Sequence, residues 1–173
     1  MPVWKGLDTP SPVGLSEGGF YLWILMNLEQ KFDWKIQKLE RAYEQEPQNP
    51  ELALKLAEVY FQKGYYLGKG DDWFERAIER VSEAIDRGMA TSEACTLLAN
   101  ALYGRHEYDA AGEAYRRALE LDPRNALAQV GLGNLEKRRG DFQKARELFQ
   151  RAAELAPALW QAHYNLGGAY YQE

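Results

Sequence analysis

The chain has 173 residues, enough for one domain that buries roughly 70% of its unfolded surface, and its net charge of −5 with an isoelectric point near 5.2 argues against a general nucleic-acid role, which needs a basic face. Its single cysteine, Cys95, excludes an intrachain disulfide framework and fits a reducing compartment. The apolar run Phe20–Leu28 is nine residues long and follows no basic segment. It is too short to cross a bilayer at about 20 residues per crossing and lacks the start of a secretory signal, so a cytoplasmic location is expected, with peripheral membrane contact as the alternative.

Residues 1–17 are rich in Pro, Gly and Ser and are expected to be irregular. Residues 18–173 read as one helical domain. Within it, residues 18–49 form a degenerate helix pair, predicted as Phe20–Gln30, apolar nearly all round, followed by Asp33–Glu46. Leu39, Ala42 and Pro47 precede Val81, Ala84 and Met89 by 42 residues. The unit 50–91 carries a first stripe of Leu56, Ala57 and Tyr60 and a second of Ala77, Val81 and Ala84. It is eight residues longer than its successors, an excess assigned to an insertion near 64–72. There Gly64, Gly68 and Gly70 argue for a loop, and Asp72 with Glu75 resembles a capping box that restarts the helix at Trp73.

The units 92–125 and 126–159 carry the register most clearly. Leu98, Ala99, Tyr108, Ala111, Tyr115, Ala118 and Pro123 recur 34 residues later as Leu132, Gly133, Phe142, Ala145, Phe149, Ala152 and Pro157. Residues 160–173 supply a first helix only, with Leu166, Gly167 and Tyr170 in the expected places. Ala111, Tyr115 and Ala118 stand at i, i+4 and i+7 and share one helix face, where the small residues admit a neighbouring helix. One such pair cannot bury its own faces, so the pairs must stack.

Two stretches, Glu93–Asn125 (EACTLLANALYGRHEYDAAGEAYRRALELDPRN) and Ala126–Pro157 (ALAQVGLGNLEKRRGDFQKARELFQRAAELAP), resemble tetratricopeptide repeats (TPRs). That pattern has a Leu-small pair in the first helix, a Gly turn, then Ala, aromatic and Ala in the second, closed by Pro. The resemblance implies an all-α, right-handed superhelical solenoid of antiparallel helix pairs, about three to four repeats plus a terminal single helix. Two residues depart from it. Glu136 stands where Tyr60, Leu102 and Tyr170 stand in the other units, so it needs an outward tilt or a pairing with Arg138 or Arg139. Met89 replaces the closing proline.

The sequence offers little chemistry. His106 and His163 lie in no ligand spacing with Cys or carboxylates. Gly64, Gly68 and Lys69 imitate a phosphate loop, but the glycine spacing is short, no Ser or Thr follows the lysine and a helix precedes where a strand is needed. Asp71 and Asp72 lack the alternating oxygen ligands of a calcium loop. No catalysis, metal or cofactor is expected.

What remains is the inner face. In TPR proteins the first helices line a concave groove, which here implies Leu54, Glu58 and Phe61; Thr96, Asn100 and Tyr103; Val130, Asn134 and Lys137; and Tyr164 with Gly168 and Tyr171, flanked by Glu93, Leu127 and Arg138. Asn100 and Asn134 offer a donor and an acceptor to a peptide bond, and the rings offer apolar anchors. The expected function is a non-catalytic protein-protein interaction scaffold or adaptor that binds a peptide segment of a partner, with Tyr65, Tyr66 and Leu67 as a second contact. Glu58 argues against the chaperone-tail mode, because it repels a terminal carboxylate. The alternative is a peripheral membrane or complex-assembly factor docking through Phe20–Leu28. Charge is uneven, with eleven acids and six bases over Glu40–Asp86 against three and six over Glu136–Arg151, which could orient a charged partner. At the unfinished end, Leu166, Ala169 and Tyr170 are expected to face water and to pair with another copy, a partner or further chain.

Overall fold

The computed structural model describes the backbone of residues 17–68 and 70–171 and the side chains of 26–68 and 72–171. Within these residues the chain forms α1 (Glu17–Gln45), α2 (Pro50–Leu67), α3 (Gly70–Asp86), α4 (Ser92–Gly104), α5 (Tyr108–Leu121), α6 (Ala126–Arg139), α7 (Phe142–Leu155) and α8 (Trp160–Tyr170). Each inner helix from α2 to α6 starts on a side-chain cap at the repeat interval. Asn49 accepts from the Glu51 and Leu52 amides, Thr91 from Ala94 and Asn125 from Ala128, satisfying amides that the helix itself leaves without partners.

Helices α2, α4, α6 and α8 neighbour one another in turn and form an inner wall. Outside them, α3, α5 and α7 each pack on their own partner and on the next inner helix. This is the all-α stack of helix pairs that the register implies.

The layers are pinned by aromatic rings set against residues without a Cβ. A Cβ on Gly133 would lie 2.4 Å from Cε1 of Phe149, one on Gly131 2.2 Å from Cζ of Tyr115, and one on Gly104 2.6 Å from Cε2 of Phe74. The core between these pins is segmented. Cys95, Ala99, Ala111, Tyr115 and Leu135 hold the middle, while Val130, Ala145, Phe149, Ala162 and Ala169 hold the C-terminal end. Burial pushes the Cys95 thiol up from its ordinary range, which disfavours the reactive thiolate. Native Cys95 should therefore react with a disulfide reagent at least about tenfold more slowly than the denatured chain. Equal rates would place it at the surface.

Two sequence expectations are corrected. Residues 17–45 form one continuous helix, not the pair Phe20–Gln30 and Asp33–Glu46. No Gly or Pro lies between residues 20 and 46, so nothing there can make the turn. Residues 1–16 lie outside the described residues, and Glu17 already belongs to α1. The insertion near 64–72 is also not mainly a loop. Helix α2 has 18 residues and α3 has 17, against 14 in each of α6 and α7, so the excess adds about one turn to each. The turn itself is made by Gly68 at φ 65°, and α3 starts at Gly70, ahead of the Asp72 cap expected from the sequence.

Helix α1 docks by charge as well as by Phe32 and Ile36. The Tyr43 hydroxyl donates to Glu83 Oε1 at 2.5 Å, and Arg80 and Arg87 pair with the same carboxylate at 2.7 and 2.6 Å. Burial raises the Glu83 carboxyl, but these hydrogen bonds and charges outweigh it and hold the group below its ordinary range. Buried Lys63 pairs with Asp33 and sits 4.0 Å over the Trp73 ring. Glu136 is resolved as the sequence requires. It is buried and pairs with Arg139 at 3.4 Å and with Lys144 at 3.1 Å.

Candidate functional site

Two adjoining cavities of about 760 and 590 Å³ follow the inner wall. Glu58, Leu97, Asn100 and Leu127 border both, which makes them one groove. At one end the added turn of α2 brings Tyr65 and Tyr66 beside Phe61, Phe74 and Tyr103. The rings of Phe61, Phe74, Tyr65 and Tyr66 form a continuous surface, with centroids 6.0 Å apart for Phe61–Tyr65, 5.7 Å for Phe61–Phe74 and 5.3 Å for Tyr65–Tyr66. Val130, Asn134, Trp160 and Gln161 continue the wall through α6 to α8. Leu54, Glu93, Asp122 and Arg124 edge the second cavity.

The two asparagines are not equivalent. The buried Tyr115 hydroxyl donates to Asn100 Oδ1 at 2.6 Å, so the acceptor of this amide is used inside the protein. Burial drives the Tyr115 phenol well above its ordinary range, and it stays a donor across neutral pH. Asn100 is left with Nδ2 as a donor for the groove. Asn134 has no hydrogen-bond partner among the described residues and keeps both functions.

Among the residues expected from the sequence, Leu54, Glu58, Phe61, Glu93, Asn100, Tyr103, Leu127, Val130 and Asn134 come together along this groove. Thr96 reaches its floor but is buried and committed. Its hydroxyl donates to the Ser92 carbonyl at 2.8 Å and accepts from Asn125 Nδ2 at 3.0 Å, so it braces α4 against the start of α6. Lys137 and Arg138 lie off the groove. The Arg138 guanidinium sits 3.8 Å over the Tyr108 ring, drawn to the seam with α5. Tyr164 is exposed and stacks edge-on against Trp160, and it is Trp160 with Gln161 that reach the groove from α8. Tyr65 and Tyr66 line the groove itself and are not a second contact apart from it, while Leu67 is tucked against the α1–α2 core.

The terminal helix also departs from expectation. Ala169 is fully buried and Leu166 packs on the same core, because α8 lies against α6 and α7, while Tyr170 remains exposed. For the alternative docking run Phe20–Leu28, the side chains of 20–25 lie outside the described residues. Of the rest, Met26 is exposed and Leu28 packs on the α1–α2 core. No helix among the described residues is long and apolar enough to cross a membrane.

Phe74, Trp160, Asp122 and Arg124 line the groove without being among the residues expected from the sequence. Phe74 was within reach of the register, since it precedes Tyr108 by the same 34 residues that separate Tyr108 from Phe142. Asp122 and Arg124 lie in a turn between helices, where a helical period carries no signal.

Residues 96–159 and 130–173 match the family model of the tetratricopeptide repeat. The stack is similar to a crystal structure of MamA, at 26% identity over 84% of this chain and 81% of that one, with a TM-score of 0.67. It shares its fold with TTC0263, a TPR protein of Thermus thermophilus, at 16% identity, 90% and 82% coverage and a TM-score of 0.69. YrrB, described as a TPR protein with an unusual peptide-binding site, aligns at 20% identity over 86% of this chain and 72% of that one, with a TM-score of 0.61. Among curated protein sequences none matches significantly. The repeat model covers residues 96–173, and the same helix-pair stacking is carried back through α2, so the chain has the fold of tetratricopeptide-repeat proteins.

Proposed function

We propose that this protein is a non-catalytic interaction module whose inner groove holds an extended segment of a partner protein. The observation that carries this reading is the pair of amides on adjacent inner helices, Asn100 presenting a donor and Asn134 a donor and an acceptor, on a wall that also offers apolar and aromatic side chains. Such a wall suits a peptide main chain flanked by side-chain pockets. Support at the level of fold comes from YrrB, itself described as peptide-binding.

The test is a selection of binders from a random-peptide display library against the full chain, followed by affinity measurement on the selected peptides. Asn100→Ala combined with Asn134→Ala should weaken them by about tenfold or more, the effect of leaving hydrogen bonds unmade at a partly buried site. Unchanged binding by a protein that melts normally would remove the groove from this role.

A further inference from the structure

Resting on that reading, the groove also carries information about what kind of segment it takes: we infer that it selects one with a Lys or Arg side chain over Glu58, flanked by an apolar or aromatic residue in the pocket of Phe61, Tyr65 and Tyr103. Glu58 is exposed, borders both cavities and has no ion-pair or hydrogen-bond partner among the described residues. Glu83 and Glu136, by contrast, are closely paired within the fold. Among the described residues, the other acids of the groove wall are Glu93 and Asp122, and Arg124 is the one Arg or Lys set against these three carboxylates. A concave wall with an excess of one sign concentrates its field and raises the local concentration of the opposite charge.

An independent observation comes from the rings. The protein places its own cations over aromatic faces, Lys63 on Trp73, Arg80 on Tyr43 and Arg138 on Tyr108. Among the described residues no such cation lies over Phe61, Tyr65, Tyr66 or Tyr103, the rings that line the groove. Tyr65 and Tyr66 are 64% and 59% exposed. Exposed aromatic rings beside a carboxylate with no partner among the described residues favour a cation with an apolar stem, which Lys and Arg both provide. An acidic segment would be repelled by Glu58 and Glu93, with Arg124 alone to offset them among the described residues.

The experiment uses the same random-peptide selection on the full chain, repeated with Glu58→Gln and Glu58→Lys. Expected are wild-type binders enriched in Lys or Arg next to aromatic or aliphatic residues, weakened by rising salt. Their affinity should fall about tenfold in Glu58→Gln, and Glu58→Lys should select acidic sequences. Because Glu58 is exposed and unpaired, both variants should melt as the wild type does. Binders that depend on Asn100 and Asn134 but show no basic preference, or that keep their affinity in Glu58→Gln, would overturn the charge inference and leave the groove reading standing. If no selected peptide depends on Asn100 and Asn134, both fall together.

Discussion

Replacing Phe149 by alanine should lower the stability of the C-terminal pairs by about 3–5 kcal/mol, the largest effect of any single truncation we expect. Leu155, Leu159 and Leu166 pack at the edge of its cluster, and the ring is fully buried against Gly133, with Ala126, Val130, Ala145, Ala152, Ala162 and Ala169 as the other buried members. Almost none of these buried members has a side chain that could swing into the vacated space. The cavity therefore stays open, and the cost falls at the upper end of what ring removal produces. Urea unfolding of wild type, Phe149→Ala and Phe149→Leu gives the measurement, and the leucine variant should recover much of the loss. A loss under about 1 kcal/mol for the alanine variant would mean that the ring does not join α6 to α7.

The second expectation concerns the sign of one substitution at two glycines. In an ordinary exposed helix, Gly→Ala is stabilising by up to about 1 kcal/mol. At Gly133 the new methyl would lie 2.4 Å from the Phe149 ring, and at Gly131 it would lie 2.2 Å from that of Tyr115. Both rings are buried and neither can turn aside, so Gly133→Ala and Gly131→Ala should instead cost about 1–3 kcal/mol. Gly167, the counterpart of Gly133 one repeat later, has nothing within 4 Å of its notional Cβ. There Gly167→Ala should stabilise, raising Tm by about 2–4 °C for each kcal/mol gained. Thermal melts of these variants side by side decide the matter. Destabilisation at Gly167, or tolerance at Gly133, would break the assignment of rings to glycines.

These glycines also show what the sequence could and could not tell. The 34-residue interval located the helices from α4 to α8 because small and large residues alternate between facing positions, and that complementarity is a property of the residues themselves. Gly64 misled for the same reason. Taken as a breaker, it lies inside α2, where a Cβ would stand 3.1 Å from Cε1 of Phe74 and its absence leaves that ring room. A glycine that ends a helix and one that admits a ring are identical in sequence; only the φ of 65° at Gly68 tells them apart. Extended into α1, the repeat period predicts two helices across residues that contain no turn former. Within the groove, the residues one helix presents were legible from their spacing. Thr96 and Arg138 were not, because their orientation is set by hydrogen bonds and ring contacts made with other helices.

A core divided into successive layers gives the molecule no single keystone. Each cluster answers to its immediate neighbours, so disorder entering at one end need not reach the other. The groove obeys a different rule, because its wall draws on α2, α4, α6 and α8 at once and exists only while all four keep their register. An occupant lying along it would tie the layers together, turning a column that can shed its ends piecemeal into one that opens as a unit.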